Sequence, residues 1–197
     1  MPRRTFDKLM SFGGVVLTAA LLIAGVLAFW GYNFANTKVH EQLAAQQIFF
    51  PPAGSEALAD PAIGPYLNKY AGEQLVNGAQ AQAYADHFIA VHLKGVADGK
   101  TYAEVSTLSR QNPDDQELAG QVQTLFRGET LRGLLLNAYA FWKLGQLALI
   151  GAIAFWAMAG VMFVLTILGF WHLRRVPATE QIFAPAVRNS EERVTVS

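Results

Sequence analysis

The feature that most constrains this chain is an uninterrupted apolar run of roughly 28 residues, from Leu144 to Trp171. It contains no acidic or basic side chain, and its only clearly polar residues are Gln146 and Thr166. An α-helix needs about 20 residues to cross the hydrocarbon core of a membrane. The run therefore predicts a transmembrane helix over residues 144–171.

A second apolar stretch near the N-terminus predicts a partner transmembrane helix over residues 9–35. Its core, from Leu9 to Trp30, would rise by ~33 Å as an α-helix, which matches the thickness of the hydrocarbon core. Aromatic residues follow it, as is typical of a membrane interface. A cleaved signal peptide is the alternative, but this apolar core is much longer than the usual 7 to 15 residues, which favours a retained anchor.

The distribution of charge predicts the orientation. Residues 1–8 carry three bases against one acid, and residues 172–197 carry four bases against three acids. The intervening region has eight bases and eleven acids. Because basic residues favour the cytoplasmic side of a membrane, we expect both termini in the cytoplasm and residues 36–143 outside.

The region between the two apolar runs has helical signals and no strand-like alternation. Residues 79–93 form an amphipathic pattern with Ala81, Tyr84, Phe88 and Val91 on one face. Thr101 and Glu104 have capping-box spacing, which predicts a short helix to Arg110. We expect Asn112 to cap a further helix, and Gly128 to interrupt that helix before a continuous helix enters the second apolar run.

These patterns predict an all-α membrane protein of the cell (inner or plasma) membrane. Two transmembrane helices carry a helical extracytoplasmic domain inserted between them. The expected segments are a cytoplasmic N-terminus (1–8), transmembrane helix 1 (9–35), the extracytoplasmic helical domain (36–143), transmembrane helix 2 (144–171) and a mostly disordered cytoplasmic tail (172–197).

No residue pattern in the chain predicts catalysis or metal binding. There is no nucleophile elbow, glycine-rich phosphate loop or paired-carboxylate signature, and the chain has no cysteine. His87 and His92 are five residues apart, which on an α-helix separates the two imidazoles by about 140°. We therefore expect a non-enzymatic protein with no catalytic site, cofactor or metal, and with no nucleic-acid partner.

Contacts with a partner or with lipid are expected at three places. Ala20, Ala24 and Ala28 form a narrow line of small side chains where another helix can approach closely. The alternative is that alanine is simply common in membrane helices. Trp156 is expected near the middle of the membrane, where its N–H needs an acceptor from a neighbouring helix.

The third place is a charged stretch close to the second apolar run, with Arg127, Glu129 and Arg132. These residues could bind a lipid phosphate or an acidic group of a partner. The alternative is an ordinary helix start in which Glu129 pairs with Arg132 three residues later.

Three segments carry a resemblance to a known family: residues 84–93 (YADHFIAVHL), 99–106 (GKTYAEVS) and 124–136 (TLFRGETLRGLLL). The chain resembles a family of uncharacterised two-span actinobacterial membrane proteins, whose members are often labelled as aromatic ring-opening dioxygenases. Ferrous chemistry of that kind uses two histidines and a carboxylate on one side of a site. The spacing of His87 and His92 does not provide that arrangement.

Two functions of different classes follow from these expectations. The first is a non-catalytic accessory or assembly subunit of a larger membrane complex, respiratory or cell-envelope, with other membrane-protein subunits and lipids as its partners. The second is an extracytoplasmic sensor or ligand-binding membrane protein. The segment after Arg175 has only 22 residues, too few for a signalling domain, which favours the accessory role.

Overall fold

The computed structural model of the chain describes residues 3–175, and this range is predominantly helical with no β-strand. In chain order, the elements are α1 (Arg3–Ala45), α2 (Glu56–Ala59), α3 (Gly64–Leu67) followed by a 3₁₀ turn (Asn68–Tyr70), α4 (Gly78–Ala83), a π-helical segment (Tyr84–Ile89), α5 (Ala90–Val96), α6 (Tyr102–Gln111) and α7 (Gln116–Leu173). The predicted all-α class is confirmed. The predicted disordered tail lies mostly at residues 176–197, outside the described range, while His172 and Leu173 belong to α7.

Two of these helices, α1 and α7, are long and apolar enough to cross a membrane. They contain 43 and 58 residues, and only 11% of the most apolar window of each is buried inside the protein. A core helix of a soluble domain buries most of such a window, because apolar side chains are removed from water on folding. The two predicted apolar helices are therefore confirmed, and most of their apolar side chains are uncovered.

The chain divides into two compact units. The first consists of Met1–Leu27 and Gly151–Ser197, and the second of Ala28–Ile150. In the first unit the two helices run antiparallel, because Ser11 lies opposite Gly169 and Gly14 lies opposite Thr166.

Small residues form the contact between the helices of the first unit. Three buried positions on each helix recur every seventh residue, as in a left-handed helix pair; they are Ser11, Thr18 and Gly25 on α1 and Ala152, Ala159 and Thr166 on α7, and Gly14 of α1 is buried as well. The Thr18 hydroxyl donates to the carbonyl of Gly14 at 2.8 Å, and the Thr166 hydroxyl donates to the carbonyl of Met162 at 2.7 Å. Because both hydroxyls are satisfied within their own helix, their burial carries little penalty.

The second unit has the apolar core of the protein. Its most fully buried large side chains come from four separate stretches of the chain: Leu67, Leu75, Val105 and Leu135. The segments before α2 and α4 are joined by an isolated antiparallel bridge between Phe49 and Gln74, in which Leu75 donates to the carbonyl of Ile48 at 2.8 Å. Gln146, the polar residue near the start of the second apolar run, donates to the side-chain oxygen of Asn36 at 3.3 Å.

Two predicted boundaries of α7 are wrong. The helix begins at Gln116 and is capped by Asp115, whose Oδ1 accepts from Glu117 and Leu118 at 3.0 Å. Asn112 instead closes α6, where its amide donates to the carbonyl of Leu108. Gly128 does not interrupt the helix. A β-carbon at Gly128 would overlap the side chain of Leu93, so the glycine leaves the space in which Leu93 packs against α7.

The predicted buried face of residues 79–93 is only partly correct, since Ala81 is fully buried but the other three predicted residues are not. The buried apolar positions are Ala81, Ala85, Ile89 and Leu93, each four residues after the last. The prediction assumed α-helical geometry throughout, but the π-helical segment holds more residues per turn and changes which positions face the core. Tyr84, Phe88 and Val91 are half-buried at the edge of that core.

Candidate functional site

The charged residues predicted for partner or lipid contact separate into two groups. Arg132 and Glu129 line a cleft in the second unit, and the guanidinium of Arg132 donates to Glu129 at 3.4 Å. The predicted pair between these two residues is confirmed. Arg127 lies outside the cleft and is exposed. The side-chain oxygen of Gln123, with its amide turned to face Arg127, accepts a hydrogen bond from Arg127 Nε at 2.9 Å.

Asp86 is a further charged residue of this cleft, and the sequence did not predict its presence there. The Nη2 group of Arg132 donates to Asp86 Oδ1 at 3.3 Å, and both side chains are about one-third exposed. Asp86 belongs to the π-helical segment. Single π turns within α-helices occur frequently at functional sites.

The cleft has a volume of about 340 Å³ and lies where the π-helical segment, α5, the start of α6 and α7 meet. Its lining residues are Asp86, Ala90, Leu93, Lys94, Gly99, Lys100, Thr101, Tyr102, Leu125, Glu129 and Arg132. The volume falls in the range of small-molecule sites, which combine an apolar lining with a few polar groups.

Two acids and three bases face this cleft, and they are unequally paired. Arg132 is bonded to both Asp86 and Glu129. Neither Lys94 nor Lys100 is within ion-pair distance of an acid among residues 3–175. The cleft therefore has one positive charge more than its acids balance.

The capping box at the edge of the cleft forms as predicted. The Thr101 backbone N–H donates to Glu104 Oε2 at 2.7 Å and its hydroxyl donates to the same oxygen at 2.8 Å. The backbone N–H bond from Thr101 is the main reason that the pKa of Glu104 lies below its usual value. The start of α6, and with it the wall of the cleft formed by Thr101 and Tyr102, is held by these bonds.

His87 and His92 are each engaged in contacts of their own. The His87 ring stacks on Tyr66 with centroids 3.5 Å apart and planes within 3° of parallel, and His92 Nδ1 lies 2.7 Å from the carbonyl of Phe88. The expected separation of about 140° between the two imidazoles assumed an α-helix throughout. It does not apply here, because His87 lies in the π-helical segment. Among residues 3–175 no three histidine, aspartate or glutamate side chains are gathered as metal ligands.

The alanine line of α1 lies beside the contact with α7 rather than within it. Ala20 is exposed and Ala24 is half-buried, whereas the positions buried against α7 in the first unit are those of Ser11, Gly14, Thr18 and Gly25. Ala28 is half-buried and belongs to the second unit. Within residues 3–27, the α7 contact therefore uses a different set of small residues from the one that the sequence indicated.

Trp156 lies against α1, the neighbouring helix. A β-carbon at Gly25 would overlap Nε1 and Cδ1 of the indole, so the absence of a side chain at residue 25 makes room for the ring. The indole is 37% exposed.

A second cavity of about 430 Å³ lies between α1 and α7 in the second unit. Most of its lining is apolar or aromatic, with four polar side chains; the residues are Phe34, Lys38, Val39, Gln42, Leu43, Gln46, Leu134, Leu135, Asn137, Ala138 and Phe141.

Comparisons of the chain with protein-family models, with curated proteins and with solved structures return no match.

Proposed function

We propose that this chain is a non-catalytic accessory or assembly subunit of a larger complex in the cell membrane, respiratory or cell-envelope. Its α1 and α7 cross the membrane, both termini are cytoplasmic, and residues 36–143 form the extracytoplasmic part. The uneven distribution of bases around the two apolar runs supports this orientation.

The observation that carries the proposal is the position of the alanine line. Ala20 and Ala24 lie outside the small-residue contact with α7. Helices in a membrane associate through close packing at small residues, because lipid gives no hydrophobic drive for association. A second membrane protein can approach α1 along Ala20 and Ala24 without displacing α7.

The experiment is gentle purification of a tagged chain, compared with an Ala24→Leu variant. The added bulk pushes a partner helix away without reducing hydrophobicity. Ala19→Leu is the matched control, since Ala19 is exposed, lies on the opposite flank of α1 and receives the same bulk. We expect wild type and Ala19→Leu to recover the same membrane subunits in fixed proportion, and Ala24→Leu to recover fewer.

Recovery of the tagged chain alone, as a monomer or homodimer that is identical for all three versions, would contradict the accessory role. It would favour the second candidate, an extracytoplasmic sensor or ligand-binding protein. The observation that supports this second function is the charged cleft around Arg132, whose volume and mixed lining are typical of small-molecule sites.

A further inference from the structure

We infer that the cleft between Asp86, Lys100 and Arg132 is a binding site for a small monocarboxylate with an apolar body. The inference is independent of the accessory role, because the cleft lies wholly within the second unit and shares no residue with the alanine line.

The Arg132 guanidinium is only partly engaged by its two acidic neighbours. Its bonds to Asp86 and Glu129 are 3.3 and 3.4 Å long, whereas charge-assisted N–H···O bonds are typically about 2.7–2.9 Å. Its Nε–H is buried, so a ligand in the cleft would meet the two Nη groups. Each Nη group has two N–H donors, and Asp86 and Glu129 use one on each, so a donor remains on each for a carboxylate.

Among the five charged residues that line the cleft, Lys94 and Lys100 are not within ion-pair distance of an acid among residues 3–175. One carboxylate can therefore pair with Lys94 or Lys100 without displacing Asp86 or Glu129. A dianion such as phosphate would add a second negative charge beside two existing carboxylates, where like charges repel.

The lining also has an exposed aromatic part. The ring of Tyr102 is exposed and lies beside the exposed ring of Phe126, whereas Leu93 and Leu125 are already buried in the core. An inorganic ion cannot cover the Tyr102 ring, whereas a carboxylate with an aliphatic or aromatic body removes it from water.

The cleft is also far from the expected surface of the membrane. Arg132 precedes Leu144, the first residue of the expected transmembrane helix 2, by 12 residues of continuous helix, or about 18 Å. A lipid headgroup at the membrane surface would not reach it, which favours a dissolved ligand.

The test uses the full chain in nanodiscs of phosphatidylcholine, which has no net charge, with benzoate as the probe. Binding is measured by isothermal titration calorimetry at low salt. Benzyl alcohol is the neutral analogue, and inorganic phosphate tests the anion alone. We expect benzoate to bind at least about tenfold more tightly than either, and its affinity to fall as salt is raised.

Three variants locate the site. Arg132→Gln should weaken benzoate binding at least about tenfold, because it removes the charge and the fork. Lys100→Gln leaves the Asp86–Arg132 pair intact, so it tests the same site if Arg132→Gln fails to fold, and it should also weaken binding. Arg127→Gln is the matched control, five residues from Arg132 on the same helix and outside the cleft, and should bind benzoate like wild type.

Several results would overturn the inference. These are no benzoate binding by folded wild type, equal affinity for benzoate and benzyl alcohol, tighter binding of phosphate than of benzoate, or an equal loss in Arg127→Gln and Arg132→Gln. Unchanged benzoate affinity in the folded Lys100→Gln and Arg132→Gln variants would also overturn it.

Discussion

Gly25 of α1 lies directly against the indole of Trp156 on α7, at a separation that leaves no space for a β-carbon. An indole, the largest aromatic side chain, is thus accommodated by the smallest residue type on the facing helix. Close approach of this kind is how membrane helices gain packing energy. Residue 25, next to Ala24 in sequence, faces about 100° away from it on the helix and so takes part in a different contact.

The first prediction follows from this contact. Gly25→Leu should destabilise the protein by about 1–3 kcal/mol, because the new side chain and the indole cannot both occupy the space. Gly13→Leu is the control, since a β-carbon at Gly13 would meet nothing within 4 Å. Thermal unfolding of the purified proteins, followed by circular dichroism, measures the difference. Equal melting temperatures for the two variants would contradict the packing described here.

Gly78, the first residue of α4, provides the second prediction. A β-carbon there would overlap Cβ of Trp142, an atom fixed to the backbone of α7 that cannot swing away. We expect Gly78→Ala to cost about 1–3 kcal/mol. Gly133→Ala, on an open face of α7, should instead stabilise by up to about 1 kcal/mol through helix propensity. Opposite shifts in melting temperature would support this account, and shifts of the same sign would count against it.

The third prediction concerns pH. Hydrogen bonds from Thr101 lower the pKa of Glu104 from its usual value of 4.5, so the folded state favours the carboxylate. The resulting stability is fully present above pH 4.5 and is lost as the pH falls through the lower, folded-state pKa. Glu104→Gln retains an acceptor for the capping box but does not titrate.

The comparison isolates this one group, because all other acids are common to both proteins. The advantage of wild type over Glu104→Gln in melting temperature should be largest at neutral pH and should disappear in acid. A difference that stays constant between about pH 3 and pH 7 would rule out the proposed role of the ionised side chain.

The fourth prediction concerns orientation in the membrane. The chain has no cysteine, so a single introduced cysteine reports one position. Ala53 is exposed in the turn before α2 and is a better site than Ser55, whose hydroxyl is buried. In intact cells, an impermeant thiol reagent should label Ala53→Cys and spare Ser190→Cys. The reverse pattern would invert the proposed topology.

Features set by a few neighbouring residues could be predicted from the sequence. The two long apolar helices follow from the length of the apolar runs, and the cap of α6 follows from the spacing of Thr101 and Glu104. The pair between Glu129 and Arg132 is equally local. The capping box of Asn77 and Gln80 has the same kind of spacing, so its signal is also present in the sequence.

Features set by distant residues could not be predicted in the same way. Glycine normally weakens a helix interior, but Gly128 is retained within α7 because Leu93 packs against it. Asp86 reaches Arg132 across 46 residues of chain through a π turn that no local pattern indicates. Asn112 and Asp115 flank the same proline, and which one caps α7 depends on where α6 ends.

The π-helical segment Tyr84–Ile89 has a consequence for changes in chain length. A π turn bonds each residue to the fifth one along and so holds one residue more than an α turn between the same neighbours. Deletion of one residue there would convert the π-helical segment to an α-helix, and α4 and α5 would keep their present contacts. The same deletion within α6 would rotate every later residue of that helix by about 100°. Single-residue deletions should therefore be tolerated beside Asp86 and rejected in α6.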